Sequence, residues 1–463
     1  MEDQKIQNSQ DTNQQNENQK EMLKLNRQIF NKNVNVCALI VPVKQITQVR
    51  KKISDHIIQL QNFKSIQDYY EQNQTKSQDK KLMYLGKEYN FKNFKEQSPA
   101  ILKQTIEEFN LELIEKEIQL GYQNMTYQEV LNQIIPPEIG IPTGFEQVGS
   151  LAHFNLKPQQ YQYQQIIGQV LIDKAPKIKT VVNKKEKLDN QFRTPELELM
   201  AGENTFECEV NEGKLVFNLN FQKVYWNSKN AHERDRTLSI ISEKDTVLDM
   251  FCGVGPFALR AAKKGCNVIA NDLNPECFEY LKKNTKRNKL EKKVLCLCDD
   301  ARKVVHKFLN LEYLKEQQIP QQYWYFSQVY MNLPVDNIEF LDSFRGLLKL
   351  GDKSIWNKQN LPTIHIYCFV KGNGEEECKE LITQRIKKQL PNFQKSDITH
   401  FINNKDINQN VRMYCLTFKL REEDALLDPL DLNIKNKDEK IKQNKNINQE
   451  QNILEKIQKK VKI

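Results

Sequence analysis

Short apolar runs between residues 246 and 332 each stop at a cluster of polar residues, and amphipathic stretches separate them. Val247, Leu248, Met250 and Phe251 surround a lone Asp249, a pattern suited to a central parallel strand covered on both faces. Gly253 and Gly255 follow at once, letting the backbone turn sharply and approach a ligand closely. Pro256 suits the first turn of a helix, predicted over residues 256–264. Further strands are predicted over 267–273, 293–298 and 328–332, with later ones at 363–370 and 411–420 whose β-branched and aromatic residues suit a covered sheet. Strands alternating with helices predict an open, mainly parallel α/β sheet from about residue 246 to about 420.

Upstream the pattern is more broken. Residues 151–156, a helix through Ile166, Ile167, Val170 and Leu171, and a strand at Thr180, Val181 and Val182 predict a small α/β segment. Residues 206–225 alternate as a hairpin with its turn at Asn211, Glu212 and Gly213. Residues 21–145 read as helical stretches alternating with polar linkers. They close at 135–142, Ile-Pro-Pro-Glu-Ile-Gly-Ile-Pro, where proline and glycine interrupt regular structure. Both ends are dominated by Asn, Gln, Lys and Glu, a composition expected to be disordered. The expected organisation is a polar start (1–20), an N-terminal accessory region (21–145), a small α/β domain (146–235), a sheet domain (236–422) and a polar tail (423–463).

Composition narrows the class without choosing it. The 69 Lys and Arg outnumber the 60 Asp and Glu, and the net charge of +9 suits a polyanionic partner without demanding one. The 10 cysteines contain no Cys-x-x-Cys pair, which disfavours structural zinc, an iron–sulfur cluster and a disulfide framework. No apolar run approaches the roughly 18 residues that span a bilayer, so no membrane partner is expected. The Gln- and Asn-rich start, with its acidic residues, resembles neither a signal peptide nor a clear transit peptide.

The polar clusters at the strand ends carry the chemistry. Asp272 closes the second strand roughly 20 residues beyond the glycines, where a carboxylate can accept both hydroxyls of a ribose. Asp299, Asp300, Ala301 and Arg302 close the third, and Asn332, Leu333 and Pro334 the fourth. In an open α/β sheet these ends line the ligand crevice. The turn lacks the third glycine of dinucleotide enzymes and the Lys-Ser/Thr of a triphosphate-binding loop. The combination resembles a class I S-adenosylmethionine-dependent methyltransferase.

A second set of motifs narrows the resemblance. His153-Phe-Asn-Leu156, Ile167-Gly-Gln-Val-Leu-Ile-Asp-Lys174, Val181-Val-Asn-Lys184, Phe192-Arg193, Leu199-Met-Ala-Gly202 and Val224-Tyr-Trp-Asn227 precede the glycine turn. Their order is similar to that of the eukaryotic and archaeal tRNA (guanine-37-N1)-methyltransferase family, over roughly residues 145–420. The resemblance implies a class I Rossmann-like fold and methyl transfer from S-adenosyl-L-methionine to N1 of guanosine 37 of tRNA, also the first step towards wybutosine in tRNA-Phe. It implies Glu233 as the base that removes the N1 proton and Arg193 as the partner of O6, a sensible pair because negative charge builds on O6 as the proton leaves.

Cofactor roles follow position by position. Gly253 and Gly255 resemble the loop under the methionine moiety, Asp272 with Leu273 the ribose site, and Asp300 with Ala301 the adenine site. Asn332 and Pro334 resemble the Asn-Leu-Pro motif beside the methyl group. Arg234 stands where relatives often place a cofactor-contacting histidine, leaving open whether His232 or Arg234 serves. Asp249 could orient the loop or cap backbone amides, and Tyr225 either buttresses the base pocket or packs in the core. Leucine and valine around Pro334 favour a ring nitrogen over an exocyclic amine as acceptor. The implied partner is tRNA, through its anticodon loop and body. A monomer without metal is expected, working in the cytoplasm with mitochondrial and nuclear pools as in relatives. Two alternatives stand beside this: a wybutosine-pathway aminocarboxypropyl transferase on the same fold, disfavoured by Phe-Arg and Glu233 occurring with Asn-Leu-Pro, and a catalytically silent RNA-binding protein, disfavoured by the intact site set.

Overall fold

The computed structural model describes residues 24–71, 74–185, 194–333, 337–406 and 411–429, in two compact units that part at residues 205 and 206. In the first unit, β1 (Lys32–Pro42), β2 (Ile66–Tyr70), β3 (Lys76–Tyr84) and β4 (Glu112–Leu120) form an antiparallel sheet in the order β2-β3-β1-β4. β1 is buried on both faces because its apolar run is continuous. Cys37, Leu39 and Val41 pack with Val49, Ile53 and Leu102, while Val36, Ala38 and Ile40 pack with Leu82, Tyr84 and Ile118. Helical stretches were the expectation here. The charged residues on the exposed positions of β3 and β4, such as Glu115, Lys116 and Glu117, have strong helix preference and hide the underlying alternation.

The same unit carries a second sheet, with β5 (Glu146–Val148), β6 (Leu151–Phe154), β7 (Thr180–Lys185) and β8 (Glu196–Gly202) in that order. β6 and β7 are parallel, joined by a crossover that contains helix α1 (Gln164–Lys174). Ile166, Ile167, Val170 and Leu171 of α1 share one core with Ala152, Phe154 and Val181, and also with Phe30, Tyr122, Val130 and Leu131. The proline-rich stretch at 135–142 therefore interrupts the chain without dividing the core, in contrast to the expected boundary near 145.

The second unit begins with a hairpin, β9 (Glu207–Glu212) and β10 (Leu215–Asn220). Its two-residue turn, Gly213 and Lys214, has φ of 59° and 61°, the left-handed pair that matches the twist of a tight hairpin. The α-helices of seven or more residues that follow are α2 (Ala231–Ile240), α3 (Ala258–Lys264), α4 (Pro275–Arg287), α5 (Ala301–Lys307) and α6 (Glu375–Gln389). The seven strands are β11 (Thr246–Asp249), β12 (Asn267–Asn271), β13 (Val294–Leu297), β14 (Gln328–Met331), β15 (Thr363–Lys371), β16 (Ile398–Asp406) and β17 (Val411–Lys419). Their order is β13-β12-β11-β14-β15-β17-β16, parallel from β13 to β15 and antiparallel at β17 and β16. The direction of winding reverses at β11, which opens a crevice at its carboxyl end.

The hairpin and α2 belong with this sheet rather than with the small domain predicted at 146–235. Asn284 of α4 is fully buried, accepts from the Asn218 N–H at 2.7 Å and donates to the Asn218 carbonyl at 3.0 Å. Asn288 does the same for Val216, at 3.0 and 2.8 Å, so two asparagine side chains extend the ladder of β10 onto a helix.

Candidate functional site

The site grows from the carboxyl ends of β11, β12 and β13. Asn271, buried at the end of β12, donates to the Met250 carbonyl at 3.2 Å and the Asp299 carbonyl at 3.0 Å, and accepts from the Asp299 N–H at 3.1 Å, so one side chain ties three strand ends together. Beyond β11 the chain enters the glycine turn, with φ of 56° at Gly253 and 94° at Gly255. Asp272 shapes that turn: its Oδ2 accepts the Gly253 N–H at 2.7 Å and its Oδ1 the Asn274 N–H at 2.9 Å. The Cys277 thiol is a third, weaker donor, so the carboxylate keeps capacity for about one further donor. Burial pushes the pKa of Asp272 up against the pull of the two amides and the thiol.

Two features mark the space above the turn as a place for a ligand. A methyl group built on Gly253 would meet no atom within 4 Å, whereas one on Gly255 would lie 2.8 Å from Leu281 Cδ1. Gly253 therefore faces open space and Gly255 faces the core. Leu273, next to Asp272, is 45 % exposed, an apolar side chain beside a carboxylate at a strand end. Asp300 caps α5, accepting from the Arg302 N–H at 2.9 Å, and Ala301 behind it is buried. The open space over Gly253, with the Asp272 carboxylate and the exposed Leu273 beside it, suits a ligand that donates hydrogen bonds from one edge and is apolar on another.

Beneath the turn lies a buried charge network that the sequence did not disclose. Asp249 has both carboxylate oxygens buried, and neither makes a hydrogen bond of good geometry among the described residues. Burial raises its pKa well above the usual carboxylate range, against the pull of the Phe251 and Ala258 amides and the Arg234 guanidinium. Arg234 is committed elsewhere: its Nε and Nη2 grip the two oxygens of Glu212 at 2.8 and 2.5 Å, and Arg260 Nη1 joins Glu212 Oε1 at 3.2 Å. Of the two residues left open at this position, Arg234 is thus held inside by the hairpin's turn residue, and His232 is exposed. Glu212 was read only as part of a turn; nothing local signals that its side chain folds inward.

Glu233, one residue before Arg234, points to the other side of α2 and is 7 % exposed. Arg236 Nε donates to its Oε1 at 2.9 Å and Oε2 at 3.0 Å, and Arg236 Nη2 to Oε1 at 2.6 Å. The Tyr367 hydroxyl donates to Oε1 at 2.8 Å. Aromatic contacts then connect this carboxylate to the glycine turn. The Tyr367 ring meets Tyr330 edge-on at 5.4 Å, and Tyr330 stacks on Phe257 with centroids 3.5 Å apart and planes 10° from parallel. Asn332 Nδ2 donates to the Tyr330 hydroxyl at 3.4 Å. Asn337 holds the segment after β14 in place through the carbonyls of Met331 at 2.6 Å and Tyr367 at 2.8 Å. Glu233, Asn332 and the glycine turn are therefore linked through Tyr330 and Tyr367. The Arg236 contact has an i,i+3 helical spacing visible in sequence. Tyr330 and Tyr367 carried no such signal.

Tyr225 is 41 % exposed, and its hydroxyl accepts from Asn227 Nδ2 at 3.4 Å, so it is a surface side chain of this unit rather than a core one. Arg193 and Pro334 lie outside the described residues.

The family model of the TRM5/TYW2 methyltransferase domain matches residues 208–355, and that of the TYW2 N-terminal domain matches residues 127–205. The chain is 45% identical over 338 residues to the tRNA (guanine(37)-N(1))-methyltransferase of Paramecium tetraurelia, covering 72% of this chain and 77% of that one. The chain belongs to the tRNA (guanine(37)-N(1))-methyltransferase family. The family protein of Dictyostelium discoideum is 39% identical over 366 residues, covering 78% of this chain and 74% of its own. Among solved structures, the complex structure of aTrm5 and tRNALeu is similar with a TM-score of 0.59 at 22% identity, over 83% of this chain and 100% of that chain. Trm5b from Pyrococcus abyssi is similar with a TM-score of 0.53 at 23% identity, over 83% and 99%. These likenesses establish the class I methyltransferase fold. The two family-model matches part at 205–208, where the units of this fold also part.

Proposed function

We infer that the chain transfers a methyl group from S-adenosyl-L-methionine to N1 of guanosine 37 of tRNA, giving 1-methylguanosine, which is also the first step towards wybutosine in tRNA-Phe. The observation that carries this reading is a buried carboxylate, Glu233, linked through Tyr367 and Tyr330 to a glycine turn whose Asp272 keeps acceptor capacity, in a chain 45% identical to a relative of that name. S-adenosylmethionine, when bound, supplies an electrophilic methyl group on a positive sulfur. Gly253 leaves room for the methionine end, Asp272 accepts the ribose hydroxyls, and the Asp300–Ala301 turn borders the adenine.

The acceptor guanine must leave its stack to reach such a crevice, at smaller cost in a loop than in a duplex. Glu233 takes the N1 proton as the N1–H electrons become the new N–CH3 bond. Arg193 meets the negative charge that builds on O6, a role that rests on the Phe-Arg motif. Asn332 borders the reacting edge. A positioned base contributes about 10²–10⁴-fold, and holding the two reactants together supplies much of the rest.

Purified protein with labelled S-adenosylmethionine should methylate tRNA transcripts carrying guanosine 37 and leave those with adenosine 37 unlabelled; labelling of both defeats the specificity. Glu233→Gln should retain cofactor binding by calorimetry and lose roughly 10²-fold or more in single-turnover transfer. Asp272→Ala should weaken cofactor binding by about 10-fold or more, since bonds to a charged acceptor contribute ~1.5–3 kcal/mol. The match of residues 127–205 to a TYW2 domain favours testing a second product, the aminocarboxypropyl adduct, and mass spectrometry of the modified nucleoside separates it from a methyl group.

A further inference from the structure

The carboxylate of Glu233 is held asymmetrically. Oε1 receives three donors, from Arg236 Nε, Arg236 Nη2 and the Tyr367 hydroxyl, at 2.9, 2.6 and 2.8 Å. Oε2 receives one, from Arg236 Nε at 3.0 Å. A carboxylate oxygen has room for about two acceptor bonds, so Oε1 is saturated; the Cys415 thiol also faces the carboxylate as a weak donor, and Oε2, with one strong donor, is the oxygen with capacity for a new one. Both holders are themselves fixed. Arg236 Nη2 also reaches Cys415 Sγ at 3.1 Å on β17, and the Tyr367 hydroxyl shares a 2.9 Å hydrogen bond with Thr237 Oγ1. We propose that Arg236 and Tyr367 are positioning residues for proton transfer: they occupy Oε1 and turn Oε2 towards the N1 proton of the guanine.

This proposal rests on Glu233 being the base. A forked guanidinium holds a carboxylate in one orientation through charge-assisted hydrogen bonds, so the direction in which Oε2 points is fixed before the guanine arrives. Burial works against the charge of Arg236, but the hydrogen bond to Glu233 together with the electrostatic pull of Cys415, Glu233 and Tyr367 more than offsets it and keeps the guanidinium a cation, and Tyr367 stays a donor because burial raises its pKa well above the usual value. The groups facing Glu233 are Arg236 and Thr237 on its own helix, Tyr367 on β15 and Cys415 on β17; burial also raises the Cys415 thiol, to about 12, which keeps it neutral.

The test is the pH dependence of single-turnover methyl transfer on tRNA, with cofactor affinity measured by calorimetry, in the full chain and in Glu233→Gln, Arg236→Gln, Arg236→Lys and Tyr367→Phe. Arg236→Gln, which removes the cation beside the carboxylate, should move the acid limb of the profile upward, so that its deficit grows as the pH is lowered from about 9 to about 6. Arg236→Lys should restore part of that shift, because it returns the charge without the fork. Tyr367→Phe should slow transfer with a smaller upward shift, and cofactor affinity should stay within about twofold in all four. A loss by the same factor at every pH in Arg236→Gln and Tyr367→Phe, or no loss, overturns the proposal. Should Arg236→Gln fail to fold, Arg236→Lys and Tyr367→Phe decide it by the same criterion. Near-normal transfer in Glu233→Gln would instead overturn the reading of Glu233 as base, whereas an inactive Glu233→Gln beside an unshifted Arg236→Gln would remove only the positioning role.

Discussion

One carbon atom has different consequences at Gly253 and Gly255, although both lie in one turn with positive φ. At Gly253 an alanine meets nothing within 4 Å, so its effect on folding is the left-handed backbone alone, roughly 1–2 kcal/mol. At Gly255 the added carbon also lies 2.8 Å from Leu281 and 3.0 Å from Leu259, and crowding in a packed core adds ~1–3 kcal/mol. Gly255→Ala is therefore expected to lower stability more than Gly253→Ala in denaturant titration, while Gly253→Ala, which projects into the open space, lowers cofactor affinity at near-normal stability; equal losses would contradict the ranking. The glycines and Asp272 were legible because a strand end, a turn and a carboxylate follow in sequence. Arg234 was less so: its place beside Glu233 suggested the cofactor, but its direction is set by Glu212, a residue 22 positions away on the hairpin.

Elements are joined here by single polar side chains, and two of them make measurable predictions. Asn284 of α4 pairs with both backbone groups of Asn218 and donates to the Val254 carbonyl at 3.1 Å in the glycine turn. Asn284→Ala leaves those groups without a partner, at about 1–3 kcal/mol for each left unsatisfied, so it should lower both the unfolding midpoint and cofactor affinity; an unchanged midpoint would show that water replaces the side chain. His365 of β15 bridges Gln328 of β14 at 2.9 Å and Thr417 of β17 at 3.0 Å. Burial lowers its pKa to about 3, with the charge of Arg236 adding to the effect. The unfolded imidazole, near pKa ~6.5, takes up its proton first, so this contribution to stability is complete above about pH 6.5 and falls by up to about 1.4 kcal/mol per unit as the pH drops towards 3. His365→Gln should flatten that part of the pH dependence in thermal unfolding, and an unaltered slope would assign it to the carboxylates. The strands β11 to β15 were legible from their apolar runs. β16 was not, because an edge strand reading Ile-Thr-His-Phe-Ile-Asn-Asn-Lys-Asp pairs on one side only and carries little hydrophobic pattern.

For the whole molecule the net charge of +9 and the proposed tRNA substrate make a claim about salt. Binding that neutralises phosphates releases counterions, so tRNA affinity should fall by at least roughly tenfold between about 50 and 200 mM salt, and a salt-independent affinity in filter binding would argue against a phosphate-led encounter. The sequence by itself determined the parallel sheet, the glycine turn, the carboxylate that shapes it and the family, because strand periodicity, glycine freedom and motif order are local properties of the chain. Tertiary structure alone decided the division at residues 205 and 206, the inward fold of Glu212 onto Arg234 and Arg260, and the Tyr367 contact to Glu233 Oε1. The physical reason is distance along the chain: Tyr367 and Glu233 are separated by 134 positions, and only the packing of β15 against α2 brings a hydroxyl to a carboxylate.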